Sequence, residues 1–311
     1  MVVSGDSNLG TLEVSLFHLQ RSTRSLLSHF RFHARTVLLF TAADMKTIFV
    51  PISVFACATA PLYSVPHFLS GITWIWSHQF MCNVSNQARG AEEDAVNKPW
   101  RPLPSGRITQ SQAITLRWIS AGLCVWWSAI YGGDLALTSL GLFFTTFLYD
   151  ELGLAGHPIG KNFCNIGGYT TFEIGATKLM GAAHDMDNIS TTAVCISGIL
   201  IFTTVQVQDF ADVEGDKRLG RVTFPIYAPE FSRQFTLIAI TMWSLFLSYF
   251  WKIGPYFGAM YMVLGIILGL HLYLYRTEAH DRSSYILFNV WLTIAHIMPL
   301  HARYGLAWAA S

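Results

Sequence analysis

Charge is what this sequence has least of. Asp, Glu, Lys and Arg together make up 13% of its 311 residues, about half the share found in soluble domains, and mean hydropathy is +0.39. That scarcity argues against a water-soluble enzyme and for a chain that crosses a bilayer several times. Acids and bases nearly cancel, leaving a net charge of +1, so overall charge gives no sign of a nucleic-acid partner. Cysteine is sparse and unpatterned. Cys57, Cys82, Cys124, Cys164 and Cys195 lie in apolar segments without a C-x-x-C pair, which reads as small buried residues rather than a metal or redox centre. Residues 1–35 are Ser- and Arg-rich with interspersed Leu and Phe. They lack the basic start and unbroken apolar core of a signal peptide, so the sequence predicts a polar N-terminal tail or an interfacial segment there.

What is abundant is apolar length: 52% of the residues are hydrophobic. Crossing a bilayer takes roughly 20 mostly apolar residues in helical form, and nine such stretches follow one another near 37–62, 66–86, 109–131, 134–153, 163–182, 191–210, 234–253, 256–275 and 284–302. The expected fold is therefore an all-α membrane protein. A nine-helix bundle would occupy residues 36–302, with a short C-terminal tail at 303–311. Nine spans place the N-terminus and every second loop on one side. That side collects Arg21, Arg24, Arg31, Arg35, Arg89, Lys98, Arg101, Arg107, Lys161, Lys217, Arg218, Arg221, Arg233, Arg276 and Arg282, and the other keeps only Lys252 and Arg303. The positive-inside rule makes the loaded side cytosolic.

Both acidic clusters fall on that side. One is "NQARGAEEDAVNKPWRPLPSGR" from Asn86, at the end of the second span; the other is "QDFADVEGDKRLGRVTFP" from Gln208, at the end of the sixth. At about 100° per residue, Asp209, Asp212 and Asp216 lie within about 60° of one another on a continued helix, and Asn86, Gly90, Glu93 and Asp94 share a face about 100° wide. Two such faces meeting across a bundle would make a carboxylate-rich cavity beside Lys98, Arg101, Lys217 and Arg218. Hard oxygens suit Mg²⁺, which bridges carboxylates to substrate phosphates and inverts a field that would otherwise repel a diphosphate.

At these residues the sequence resembles the UbiA superfamily of intramembrane prenyltransferases, which carry nine transmembrane helices and aspartate-rich motifs at the cytosolic ends of helices 2 and 6. "DFADVEGDKRLG" fits the second motif as D-x-x-D-x-x-x-D-x-x-x-G, and "NKPWRPLPSGRIT" matches the stretch after the first. The first motif departs from the usual N-D-x-x-D-x-x-x-D. Asn86 and Asp94 hold the outer positions, while Gln87 and Gly90 stand where two acids are usual. That version is similar to a fungal branch that includes membrane terpene cyclases of the bergamotene and cyathane diterpene types. The resemblance implies a Mg²⁺ cofactor held by Asn86, Asp94, Asp209, Asp212 and Asp216, with Glu93 as a substitute ligand. It implies a prenyl diphosphate substrate, geranylgeranyl ahead of farnesyl, that is ionised and cyclised. A cyathane diterpene is the sharpest product expectation. The runner-up is a prenyltransferase acting on an aromatic or quinone-precursor acceptor. The fungal resemblance implies the endoplasmic reticulum as its membrane.

Lys46, Lys98, Arg101, Lys161, Lys217 and Arg218 are the candidate diphosphate-binding residues. Tyr149, Asn165, Tyr169 and Glu173 are candidate cavity linings, against the alternatives that the aromatics belong to an interfacial belt and that Glu173 merely pairs with another helix. Asp44 lies early in the first span and is placed to reach the same site. A transporter is the competing class. Transport sites tend to lie near the midplane, whereas these acids gather at one end.

Overall fold

The computed structural model describes residues 26–305. Nine helices of 17 residues or more run through the described residues: α1 Leu26–Thr59, α2 Val65–Arg89, α3 Gln110–Ile130, α4 Gly133–Asp150, α5 Pro158–Met180, α6 Asn188–Thr204, α7 Pro229–Phe250, α8 Pro255–Leu274 and α9 Glu278–Ile297. Among these residues there is no named strand, only an isolated bridge between Leu62 and Gly181. Residues 26–35 are helical and continuous with α1, so no break separates an N-terminal segment from the bundle at residue 36. Residues 1–25 and 306–311 lie outside the described residues.

Local chemistry sets the helix boundaries. Proline occupies the first turn of α2, α5, α7 and α8, where its missing N–H costs nothing. Thr109 and Asp187 cap α3 and α6 through capping boxes with Gln112 and Ser190, meeting donors that an apolar surrounding would leave unsatisfied. Five stretches are long and apolar enough to cross a membrane by length and composition: Leu26–Thr59, Gln110–Ile130, Asn188–Asp209, Pro255–Leu274 and Glu278–Tyr304. Helices α2 and α5 carry rows of buried polar groups, among them His78, Gln79, Asn83, Gln87, Lys161 and Glu173. Outward faces are apolar, as at Trp126, Leu137, Ile238, Tyr249 and Met260.

Two cores flank α1. Ile52 and Ala56 join Trp74, Ile75, Met81, Leu142, Phe172 and Met180 on one side. Phe55 joins Leu200, Ile201, Ile240, Leu268, Phe288 and Trp291 on the other. Glycine lets a large ring seat directly against a helix backbone: a Cβ built on Gly175 would collide with Cη2 of the fully buried Trp74.

Helix α1 is broken where it reaches the polar end of the bundle. Its middle is a 3₁₀ turn at Ala42–Asp44 followed by a π-helical turn at Met45–Phe49. Pro51 has no N–H for the carbonyl of Thr47 four residues earlier, and the Tyr169 hydroxyl donates to that oxygen at 2.6 Å. Nδ2 of Asn83 and Nε2 of Gln87 donate to the Phe40 carbonyl at 3.0 and 2.9 Å, and Nε2 of Gln79 donates to the Thr41 carbonyl at 3.1 Å. An amide ladder on one face of α2 thus satisfies the carbonyls that the break releases.

Candidate active site

The break, the ends of α2 and α6 and the starts of α5 and α9 enclose one polar cavity of about 560 Å³. The acidic motifs are not continuations of their helices. Gly90 interrupts α2 before the short helix Ala91–Asn97. Helix α6 tightens into a 3₁₀ stretch at Val205–Asp209, and a second short helix spans Val213–Arg218. Asn86, Glu93, Asp94, Asp209, Asp212 and Asp216 nonetheless all line the cavity, with Lys46, Lys98, Arg101, Lys161, Tyr149, Asn165 and Tyr169.

Lys161 stands at the centre of the second motif. Its Nζ is 2.6 Å from Oδ1 of Asp209 and 4.0 Å from Oδ2 of Asp216, and all three side chains are buried. The first motif is tied up more tightly. Nη1 of Arg101 donates to both carboxylate oxygens of Asp94 at 2.8 and 3.0 Å, and Arg101 also lies 3.8 Å from Asp44. Asn86 Nδ2 donates to Oδ1 of Asp150 at 3.2 Å, while the Ser85 hydroxyl donates to Oδ2 at 2.7 Å. A carboxylate accepts only, so Asp150 fixes the amide with its NH₂ toward α4 and its carbonyl oxygen free.

Arg221 joins the motifs. Its Nη1 reaches Oε2 of Glu93 at 2.7 Å and Oδ1 of Asp216 at 3.3 Å. Burial acts against its charge, but Glu93 and Asp216 prevail and raise its pKa above the usual arginine value. Asp212 makes no side-chain hydrogen bond or ion pair among the described residues. Burial raises its pKa above the ordinary 3.8, against the pull of Lys98 and Lys161. Burial likewise raises that of Asp94 despite its bonds to Arg101.

The structure does not bring every candidate to this cavity. Lys217 and Arg218 are exposed and outside its lining, and Arg218 pairs with Glu214 one turn away. Glu173 is fully buried, accepts from the Ser197 hydroxyl at 2.5 Å and lies 3.5 Å from Nε2 of His296. Neither the polar cavity nor its apolar continuation is lined by it. Gln87 faces α1 rather than the cavity. Asn83, Arg282 and Tyr285, which no sequence motif marks, also line the site, as does Arg221, one of the loop charges. Its position just after Gly220, a left-handed glycine at φ 69°, was the available signal, because that turn folds the chain back onto the motif.

The donor set fits a hard divalent cation. Asp209, Asp212 and Asp216 offer only oxygens, Asp212 is unpaired, and Oδ2 of Asp216 is buried without a hydrogen bond. Asn86 would add its carbonyl oxygen, while Glu93 and Asp94 must first be released from their arginines. Among the described residues no three acidic, histidine or cysteine side chains already converge as a finished metal centre. Asp44, Glu93, Asp94, Asp209, Asp212 and Asp216 face Lys46, Lys98, Arg101, Lys161, Arg221 and Arg282, so the lining is formally neutral.

Below the polar mouth an apolar cleft of about 150 Å³ continues between α1, α2, α4 and α5, past Ile48, Ile52, Leu142 and Phe172. Asn83, Asn86, Tyr149, Asn165 and Tyr169 belong to both spaces. The arrangement can hold an anionic head at the mouth and a hydrocarbon tail below it.

The chain is similar to known proteins over most of its length. The model of the UbiA prenyltransferase family matches residues 48–293. The chain is 30% identical over 271 residues to the fumagillin beta-trans-bergamotene synthase of Aspergillus fumigatus, covering 86% of this chain and 93% of that one. It is 29% identical over 236 residues to the diterpene cyclase eriG of Hericium erinaceus, covering 73% and 76%. A solved UbiA homologue from Archaeoglobus fulgidus, bound to GPP and Mg²⁺, superposes with a TM-score of 0.60 at 15% identity, covering 84% of this chain and 99% of that one.

Proposed function

Since the chain belongs to the UbiA prenyltransferase family, we propose that it is a Mg²⁺-dependent membrane terpene cyclase acting on a linear prenyl diphosphate. One observation carries the reading: two acidic motifs and the buried Lys161 surround a polar cavity that opens onto an apolar cleft. Asp209, Asp212 and Asp216, with Asn86, would hold Mg²⁺, which when bound neutralises the departing diphosphate. Lys161, Lys98, Lys46 and Arg221 contribute fixed positive charge around the same oxygens, and they act more strongly there than in water. Asp150 keeps the carbonyl oxygen of Asn86 turned toward the cavity. The tail lies in the cleft between Ile52, Leu142 and Phe172, where water is excluded and Tyr149, Tyr169 and Phe172 offer aromatic faces to a carbocation.

Geranylgeranyl diphosphate is the favoured substrate over farnesyl diphosphate, and a cyathane-type diterpene the favoured product. Likeness to a diterpene cyclase and the departures at Gln87 and Gly90 support both. Nine spans with the site facing the cytosol of the endoplasmic reticulum complete the reading, supported by the basic residues gathered at the site end. A second reading, transfer of the prenyl group to an aromatic or quinone-precursor acceptor, has an observation of its own. A side cavity of about 430 Å³ shares Asn86, Gly90, Tyr149 and Arg221 with the main one and could admit an acceptor.

Membranes containing the protein, given geranylgeranyl diphosphate and Mg²⁺ without an acceptor, should yield a cyclic hydrocarbon detectable by mass spectrometry. The Asp212→Ala variant should yield none. Absence of product with both geranylgeranyl and farnesyl diphosphate, followed by a prenylated product once an aromatic acid is added, would replace the cyclase reading with the transferase one.

A further inference from the structure

A second basic site lies away from the acidic cavity. Leu27, Ser28, Arg31, Phe32 and Arg35 on the first turns of α1, with Arg107 from the loop before α3, line a groove of about 410 Å³. Residues 27, 31 and 35 are spaced four apart and share one helix face. The guanidinium of Arg107 lies 5.0 Å from the centre of the Phe32 ring, and its Nη1 is 3.4 Å from Oγ1 of Thr36, which fixes the groove's far wall. No acidic side chain among the described residues lines it. Among the described residues neither Arg31 nor Arg35 has an ion pair, and both are exposed.

Length places this groove relative to a bilayer. Helix α1 has 34 residues, about 51 Å at 1.5 Å per residue, whereas the hydrocarbon core is about 30 Å thick. The excess at the basic end puts Leu26–Arg35 at headgroup depth. There Leu26, Leu27 and Phe30 are 67%, 55% and 72% exposed beside the arginines. Apolar side chains next to three arginines that have no ion pair among the described residues suit a molecule with acyl chains and an anionic head.

We propose that this groove binds the phosphate-bearing headgroup of an anionic phospholipid from the leaflet on the site side. Arg31, Arg35 and Arg107 take the phosphate and headgroup oxygens, and an acyl chain lies along Leu27 and Phe32. The fork of each guanidinium matches phosphate oxygens in pairs, and a cluster of basic residues next to a span is the pattern that anionic lipids recognise. Because Arg107 ends the segment that also carries Lys98 and Arg101, a bound lipid would anchor one wall of the acidic cavity.

The test is native mass spectrometry of the full chain in detergent micelles doped with equal amounts of phosphatidylserine and phosphatidylcholine. The serine lipid should be retained at least tenfold over the choline lipid. Each arginine removed should weaken retention about fivefold, the equivalent of about 1 kcal/mol per basic residue near the surface. Arg31→Gln/Arg35→Gln tests the helix face alone, and adding Arg107→Gln should abolish the preference while circular dichroism stays unchanged. Equal retention of the two lipids, or a triple variant that keeps the preference, overturns the proposal. So does displacement by inorganic phosphate or soluble glycerophosphoserine, which would mark a free-phosphate site, and so does a change of oligomeric state without a change in bound lipid, which would mark a contact between copies.

Discussion

Replacing Lys161 by methionine keeps most of the unbranched side chain and removes the positive charge placed between Asp209 and Asp216. At an effective dielectric of about 20, one ammonium at 2.6 and 4.0 Å from two carboxylate oxygens gains ~6 and ~4 kcal/mol of gross attraction. Desolvation of three buried groups offsets much of it. Breaking a buried ion pair by removing one partner costs about 3–5 kcal/mol, which for a chain of this size is a fall of roughly 6–10 °C in melting temperature. That fall should appear in full in EDTA. In saturating Mg²⁺ it should shrink by half or more, because a divalent ion can neutralise the same two carboxylates from the cavity side. The assay is a thermal-shift series on purified protein with and without chelator. An equal fall in both buffers would refute the assignment of Asp209 and Asp216 as metal ligands. No fall in either would mean the carboxylates do not depend on Lys161 at all.

Arg221→Ala removes a side chain that ion-pairs with both motifs and should lower product formation by about 10- to 100-fold, on the scale of about 1.5–3 kcal/mol for hydrogen bonds to charged groups. Lys217→Ala and Arg218→Ala, exposed and outside the cavity, should stay within about twofold; turnover assays on the three variants decide it. Gly175→Ala should cost about 1–3 kcal/mol through overpacking, because its methyl would collide with Trp74, and should lower the melting temperature by a few degrees. Asp187 caps α6 and pairs with Arg303, whose hydrogen bond holds its carboxyl well below the ordinary 3.8. Stabilisation of about 1 kcal/mol should therefore be present at neutral pH and be lost as pH falls below 3.8. A melting series against pH on the parent and Arg303→Ala should show the difference between them vanish at the acid end.

Much of this molecule is legible in the residues because its strongest signals are local. Apolar runs of bilayer length, proline at helix starts and Thr/Asp caps all act within a turn or two, and each predicted stretch overlaps a helix. The motif residues line one cavity, although Asp209, Asp212 and Asp216 do not lie on one continued helix. What was hidden is which side chains pair. Nothing near Asp94 in the sequence says that Arg101 will occupy both its oxygens, or that Glu93 and Asp216 will share Arg221 across 123 positions of chain. The orientation of Glu173 was equally hidden. It sits one turn beyond Tyr169, yet its face of α5 meets Ser197 and His296 instead of the cavity. The break in α1 was half visible, since Pro51 announces a missing donor, but the amides on α2 that satisfy the released carbonyls come from another helix.

Those amides bear on why the first motif lacks two acids. An acid at position 87 would point at the carbonyl of Phe40, where only a donor is tolerated, so Gln87 supports the break in α1 where an acid is usual in the family. The break in turn brings Asp44 and Lys46 to the cavity and frees the Thr47 carbonyl for Tyr169, which walls the apolar cleft. At position 90 a side chain would start 3.3 Å from the Asn86 carbonyl, in the turn that swings Glu93 toward Arg221. Both substitutions therefore lower the negative charge of the first motif and shape the cavity instead. With acids and bases balanced in the lining, bound divalent cations would supply the net positive charge that a diphosphate requires. If the chain ionises a prenyl diphosphate as proposed, the second motif would carry the ionising charge and the first would position the pocket in which the resulting cation reacts.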